Sequence, residues 1–256
     1  MYKAYTAADW RTYLQLPDDY LIDGMLVFGS NESYGYDAFS DALQRSGEIY
    51  ELRRFDDEYL RPIVEWVVGG SRYWFVVAYG SAQLSEFLHI GCMFGSKKNI
   101  LVGNCGGLAQ GMRSLDIIMP TSSYATESAA VMYQPDVQNI FLSDATLSST
   151  LYSALADVHT VHRGKMMTCQ AMFAEGDEHV AQWARDGYVG VEMEAATVFA
   201  VSNHFGVPSA AVLKVIDNLA NHETILKNGY LPTDVSHESV LADMFDAALT
   251  HITIDK

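Results

Sequence analysis

The stretch YVGVEMEAATVF, residues 188–199, passes from alternating Tyr, Val and Gly into a run of Ala, Thr, Val and Phe. The first half reads as a strand and the second as a buried helix, so one short segment holds a strand-to-helix handover. Glu192 and Glu194 sit at that handover, around Met193. Burying an unpaired carboxylate costs several kcal/mol. Each glutamate therefore needs a partner in the fold or a ligand, and the two need not share one.

The same alternation extends outward. GMLVFG (24–29), IVEWVV (63–68), YWFVVAY (73–79), NILVG (99–103), LDIIMP (115–120) and SAAVLKVI (209–216) are rich in Val, Ile and aromatics and bounded by Gly or Pro, as strands are. Several are apolar on both faces, which suits buried strands of a central sheet. Helical spacing runs through Leu84, Phe87, Leu88, Gly91 and Phe94; through DEHVAQWARDG, stopped by Gly187; from residue 194 to 205, stopped by Gly206 and Pro208; and through Val240, Leu241, Met244, Phe245, Ala248, Leu249 and Ile252. Strands alternating with helices predict one α/β domain over residues 1–256, with 1–20 as an N-terminal extension. Residues 122–149 read as a polar, irregular and mobile loop region.

The 256 residues are 49% hydrophobic and 19% charged, ample for a core. Lys and Arg number 16 against 32 Asp and Glu, a net charge of -16. That balance argues against nucleic acid or an anionic membrane as partner. Cys92, Cys105 and Cys169 lie far apart and form no CxxC pair, which predicts no disulfide framework and a reducing, cytoplasmic compartment. The N-terminus has no apolar core of a signal peptide, and no apolar run approaches the roughly 20 residues of a membrane helix.

Three strand ends carry candidate chemistry. ILVGNCGGL (100–108) reads as a strand entering a turn with Gly103, Gly106 and Gly107, where backbone could approach a ligand closely. It is neither a dinucleotide fingerprint nor a P-loop, and a turn without a ligand is an even alternative. AYGSAQLSEF (78–87) places Ser81 at a helix start, where capping is the commoner role and anion binding the second. VIDNLANHET (215–224) sets Asp217 at a strand's carboxyl end, as a turn cap or as a partly desolvated acid. His159 and His162, read on opposite faces of one strand, are poor metal partners, and no HExxH or GxSxG occurs, so no metal site is expected.

Taken in order, the strand-GS-helix element, LVGNCGGL, GVEMEAATVFAV and VIDNLANHET resemble the purine nucleoside and uridine phosphorylases, whose superfamily also holds nucleosidases that use water in place of phosphate. The resemblance runs from about Gly24 to the C-terminal helix. It implies a central mixed twisted sheet flanked by helices on both faces, and cleavage of the N-glycosidic bond of a ribonucleoside, purine favoured, without a cofactor beyond phosphate as co-substrate. It implies that Glu194 binds the ribose 2′- and 3′-hydroxyls, that Met193 packs on the sugar, and that Glu192 supports them. Asp217 would protonate N7 of the leaving base. Cys105 and Gly106 would line the base, with Met172 at the stacking position and Phe173 beside it, in the segment HRGKMMTCQAMF (162–173). The nucleophile side would hold Gly29, Ser81 and, from a neighbouring copy, Arg61 with Arg53 and Arg54 behind it. Dimers or hexamers with shared sites are implied.

The departures lie on the nucleophile side. The first glycine loop reads GSNESYG (29–35) where these phosphorylases carry an Arg, Leu101 stands at a second Arg position, and LKNGY offers only Lys227. Each charge-assisted hydrogen bond lost from an anion is worth roughly 1.5–3 kcal/mol. Phosphorolysis is the reading by family; hydrolysis, with Glu32 as base, is the alternative the missing arginines suggest; a non-catalytic nucleoside binder is the third.

Overall fold

The computed structural model describes residues 2–30, 34–55, 59–60, 62–224, 226 and 237–253. In chain order its strands are β1 (Gly24–Gly29), β2 (Tyr50–Arg54), β3 (Ile63–Val68), β4 (Ser71–Ala78), β5 (Asn99–Gly107), β6 (Ile117–Tyr124), β7 (Ile140–Leu142), β8 (Val161–Thr168), β9 (Tyr188–Glu192) and β10 (Ser209–Asn218). The helices are α1 (Ala7–Tyr13), α2 (Tyr34–Ser46), α3 (Ser81–Met93), α4 (Ala130–Tyr133), α5 (Ala145–Leu155), α6 (Asp177–Arg185), α7 (Ala195–His204) and α8 (His237–Thr253).

All ten strands join one mixed sheet, in the order β10-β6-β8-β9-β5-β1-β4-β3-β2 with β7 beside β6. Parallel pairs join β1 to β4 and β5, β5 to β10, and β8 to β6 and β9. The fold class is as expected, an α/β sheet between helical layers. One feature goes beyond it: β10 also pairs with β5, so β5, β10, β6, β8 and β9 close into a ring.

Each face of the sheet carries its own core. One is built on Met25, Val27, Leu101, Leu213 and Val215 with residues of α3 and α7. The other is built on Leu26, Phe28, Ile100, Val102 and Val212 with residues of α2, α5 and α8. Alternate residues of β1, β5 and β10 therefore point to opposite cores, which is why these segments read as continuous apolar runs. Helix α7 is buried all round from Ala195 to Ser202, and its Ala-rich composition lets it press closely on its neighbours. The stripe on α8 is buried as the spacing predicts.

Three boundaries differ from expectation. Strand β5 does not turn at Gly103 but continues to Gly107, and β10 continues through Asp217 to Asn218. Both extensions form because Gly106 and Gly107 pair with Asp217 and Asn218 on one side and with Val191 and Gly190 on the other. Residues 122–149 are structured rather than a loop: they hold the end of β6, α4, β7 and the start of α5. His159 lies outside β8 and bonds Asp243, while His162 within it bonds Asp116.

The N-terminal residues are tied to the sheet by a buried polar network. Tyr20 donates its hydroxyl to Glu65 and accepts from the indole N–H of Trp74 at 2.8 Å, and Arg72 pairs with Glu65 at 3.2 Å. Removing that hydroxyl leaves two buried polar groups short of a partner. Tyr20→Phe is expected to lower the unfolding free energy by about 1–3 kcal/mol in urea titrations; a loss below about 0.5 kcal/mol would show that the network is not what holds the segment.

Candidate active site

Strand β5 changes neighbours along its length. Beside its first half lies β1, whose last pair is Gly29 with Gly103. Beside its end lies β9, through Gly106–Val191 and Gly107–Gly190. The two neighbours part at this point, and a crevice opens at the carboxyl ends of the parallel strands, where open α/β sheets place ligands. The handover residues 192–194 fall at its rim.

Glu192 and Glu194 have separate tasks. Glu192 is buried and accepts from the backbone amides of Glu194 and Ala195, each at 2.6 Å, and from the Thr168 hydroxyl. Thr168 in turn accepts from the Ala196 amide at 3.1 Å and shares a hydrogen bond with Ser123 at 2.6 Å. Glu192 thus occupies the amino-terminal end of α7, where free N–H groups and the helix dipole favour an anion. Its hydrogen bonds hold the start of α7 in place.

Glu194 is equally buried but has fewer donors than Glu192 among the described residues, the Gly80 amide at 2.6 Å and the Met193 amide. Its second oxygen faces Gly29, where a Cβ would stand 2.8 Å away, so only glycine fits there without displacing the carboxylate. Burial pushes the Glu194 carboxyl up, and the Glu192 charge adds to the rise. Burial raises Glu192 as well, but the Thr168 hydroxyl and the backbone amides pull it back. Glu192 is therefore the better-stabilised anion, and Glu194 the group left to be completed by something in the crevice.

Asp217 is buried on β10 at a register shift between Val215 and Asp217, opposite Gly106. A Cβ on Gly106 would lie 3.2 Å from the Asp217 Oδ1 and 2.9 Å from Leu219. Beside it, Asn218 caps the following turn by accepting from the Ala220 amide at 3.1 Å. The capping reading of Ser81 fails. Gly80 is the N-cap of α3, and the first amides go to Glu194 and to Gln170, whose Oε1 accepts from Ser81 N at 3.0 Å.

The structure brings Gly29, Gly80, Ser81, Met193 and Glu194 together at one end of the crevice, and Cys105, Gly106 and Asp217 at the other. The Cys105 side chain packs into the core, and burial drives its thiol well above the usual range, with Glu192 and Asp217 adding to the rise. Only its backbone is available to a ligand. Met172 and Phe173 stand apart: Phe173 is 98% exposed and Met172 39%, so the chain's own fold does not press the ring onto the site. Arg53 and Arg54 lie on edge strand β2 over Phe55 and Tyr36, away from the site. Glu32 and Arg61 lie outside the described residues.

Three further residues belong to the site and carried no signal of their own in the sequence. Gln170 clamps two loops, bonding Ser81 N and, through Nε2 at 2.7 Å, the Met193 carbonyl. Tyr79 lies between β4 and the Gly80 cap; burial raises its hydroxyl, with the Glu194 and Glu175 charges adding. Glu175 is half-buried, and burial, with a smaller rise from Asp217, pushes its carboxyl up to about 7. The Gln170 position in TCQ was the nearest cue, since a polar amide directly after a buried strand needs partners. A cavity of about 480 Å³ lies alongside, between α6 and the turn after β10; Leu219 lines it and also packs over Gly106. Among the described residues no group of His, Cys, Asp and Glu is arranged to hold a metal.

The comparisons bear on the family and the fold. The sequence matches the Phosphorylase superfamily over residues 66–242, more than half of the chain, and the chain belongs to that superfamily. It is 30% identical over 118 residues to a guanosine phosphorylase of Halorubrum lacusprofundi, covering 46% of this chain and 48% of that one. It is 30% identical over 132 residues to a DeoD-type purine nucleoside phosphorylase of Clostridium beijerinckii, covering 51% and 55%. In both alignments this chain spans about half the length of the relative. A DeoD-type enzyme of Pasteurella multocida aligns further, at 22% identity over 233 residues, covering 85% of this chain and 94% of that one. A solved structure described as a candidate methylthioadenosine nucleosidase of Weissella paramesenteroides superposes with a TM-score of 0.67 at 19% identity, over 91% of this chain and all of that one, and shows the shared fold.

The raised Glu194 carboxyl sets a sign for pH. A carboxyl raised on folding holds more protons folded than unfolded between its ordinary value and neutrality, so its contribution to stability falls as pH rises. Glu194→Gln removes that titration. The unfolding free energy of the variant relative to the natural protein should therefore rise by about 1 kcal/mol or more between about pH 5 and about pH 8. A difference independent of pH in urea titrations would remove Glu194 from the buried titrating pair.

Proposed function

We propose that the chain cleaves the N-glycosidic bond of a purine ribonucleoside, holding the ribose at Glu194 and the base at Asp217. One observation carries this: two buried carboxyls flank the carboxyl end of β5, one held only by the Gly80 and Met193 amides among the described residues and the other set against Gly106. A buried carboxylate with few protein donors suits a vicinal diol, each charge-assisted hydrogen bond contributing roughly 1.5–3 kcal/mol. The same negative charge gains value as C1′ becomes oxocarbenium-like, so it favours the transition state over the ground state. Asp217 gives a proton to N7, and the base leaves neutral. Met193, its carbonyl held by Gln170, covers the sugar. The reaction asks for no metal or other cofactor.

For the nucleophile we take water. Among the described residues no Arg or Lys is bonded or ion-paired to Gly29, Gly80, Ser81 or Glu194, and Leu101, at one expected Arg position, lies fully buried in the core. An oxocarbenium-like carbon needs no strong nucleophile, whereas a phosphate dianion needs cations to bind. Phosphate attack is the second reading, favoured by the buried Ser81 beside the Gly80 turn. We also infer that copies of the chain assemble, since the bare Phe173 ring, in the turn after β8, suits cover by a neighbour. The compartment we assign is the cytoplasm, on three free cysteines.

Incubation with adenosine, inosine and guanosine, with and without phosphate, tests the reading. Free base and free ribose at equal rates in both buffers are expected. Release only with phosphate, as ribose 1-phosphate, would overturn water as nucleophile, and no release in either buffer would overturn cleavage itself. Asp217→Asn should lower kcat by about 10²–10⁴ while leaving substrate binding within about threefold. It should spare a 7-methylpurine nucleoside, whose base already carries the charge. An unchanged kcat on unmethylated substrates would remove Asp217 from the acid role.

A further inference from the structure

We propose that Glu175 reads position 6 of the leaving purine and selects a 6-aminopurine over a 6-oxopurine. This rests on the reading above that Asp217 faces N7, because position 6 is the next position along that edge of the base.

Glu175 ends the short 3-10 turn Met172–Ala174, and its amide closes that turn on the Met172 carbonyl at 3.2 Å. A residue in such a turn has no need to bury its side chain, yet Glu175 is half-buried. The strand order explains where it points. β8 ends at Thr168, paired with Glu192 of β9; β9 pairs at Val191 with Gly106; and Gly106 pairs with Asp217. Cys169, directly after β8, is fastened to this row by its amide on the Glu192 carbonyl at 2.8 Å. The Glu175 carboxyl lies over the same row. It hydrogen-bonds the Cys169 thiol and feels the Asp217 charge, and the Tyr79 hydroxyl feels the charges of both Glu175 and Glu194. Glu127 approaches Cys169 from the segment before α4.

Two carboxyls therefore face the base end, Asp217 from β10 and Glu175 from the turn after β8. An ionised carboxylate only accepts hydrogen bonds. A 6-amino group offers one N–H donor to this edge, whereas a 6-oxo group presents lone pairs to a carboxylate. A site built to accept rejects the base that cannot donate, because its own acceptor is then left without a partner. Since burial pushes Glu175 up to about 7, discrimination is to be read on the alkaline side of that value.

Binding of free adenine and free hypoxanthine, measured by calorimetry at about pH 8 in the natural protein, Glu175→Gln and Glu175→Ala, tests this. Adenine should bind at least tenfold tighter than hypoxanthine to the natural protein. In both variants the ratio should fall to about threefold or less, and in Glu175→Gln hypoxanthine should gain, because the amide N–H₂ can donate to O6. The ratio within each protein is independent of how much of it is folded. No preference for adenine in the natural protein, or the same ratio in all three, would overturn the assignment. Base binding does not require turnover, so adenine selectivity lost with Glu175 in a protein that cleaves nothing would sink the cleavage reading alone.

Discussion

The Glu192 carboxylate at the start of α7 is the contact on which the ligand end of the sheet depends. It answers two backbone amides and a threonine hydroxyl, in a position fully removed from water. The helix dipole and those donors offset the desolvation of one negative charge. In doing so they fix the backbone of residues 193–195, and with it the direction of Glu194. The second carboxylate can then be held by two backbone donors, the Gly80 and Met193 amides, and still stay in place. A buried acid that is positioned but incompletely satisfied is a costly arrangement for the empty fold, and a diol would complete it.

The crevice itself follows from strand pairing. β5 exchanges β1 for β9 as its neighbour, and the ring through β10, β6 and β8 holds the exchange in place. Glycine makes the exchange possible at Gly106, where a side chain would collide with both Leu219 and Asp217. The same substitution at Gly29 would meet Glu194. Backbone and carboxylate therefore pack directly on one another at both ends of the crevice. Gln170 joins the two sides by bonding the α3 loop and the Met193 carbonyl.

Much of this was legible in the residues. The handover at VEMEAATVF, the buried strands and the α8 stripe are local patterns, and local patterns survive into the fold. Glu192, Glu194, Asp217 and Gly106 could be named because each sits at the end of a readable strand. What was misread depends on partners distant in sequence. Gly106 and Gly107 look like a turn until β9 and β10 pair with them. Ser81 looks like a cap until Gln170, 89 residues on, takes its amide. Tyr79, Gln170 and Glu175 have no periodicity or motif; only the tertiary packing carries them to the crevice. Phe173 was placed on the base by resemblance, and in one chain it faces outward.

The central claim is that Glu194 holds a ribose diol. Calorimetry with two inert purine C-nucleosides tests it most directly, one bearing ribose and the other 2′,3′-dideoxyribose. The ribose probe should bind the natural protein at least ~100-fold tighter, as two charge-assisted hydrogen bonds require, and the gap should close to about threefold in Glu194→Ala. Equal affinity of the two probes for the natural protein would contradict it.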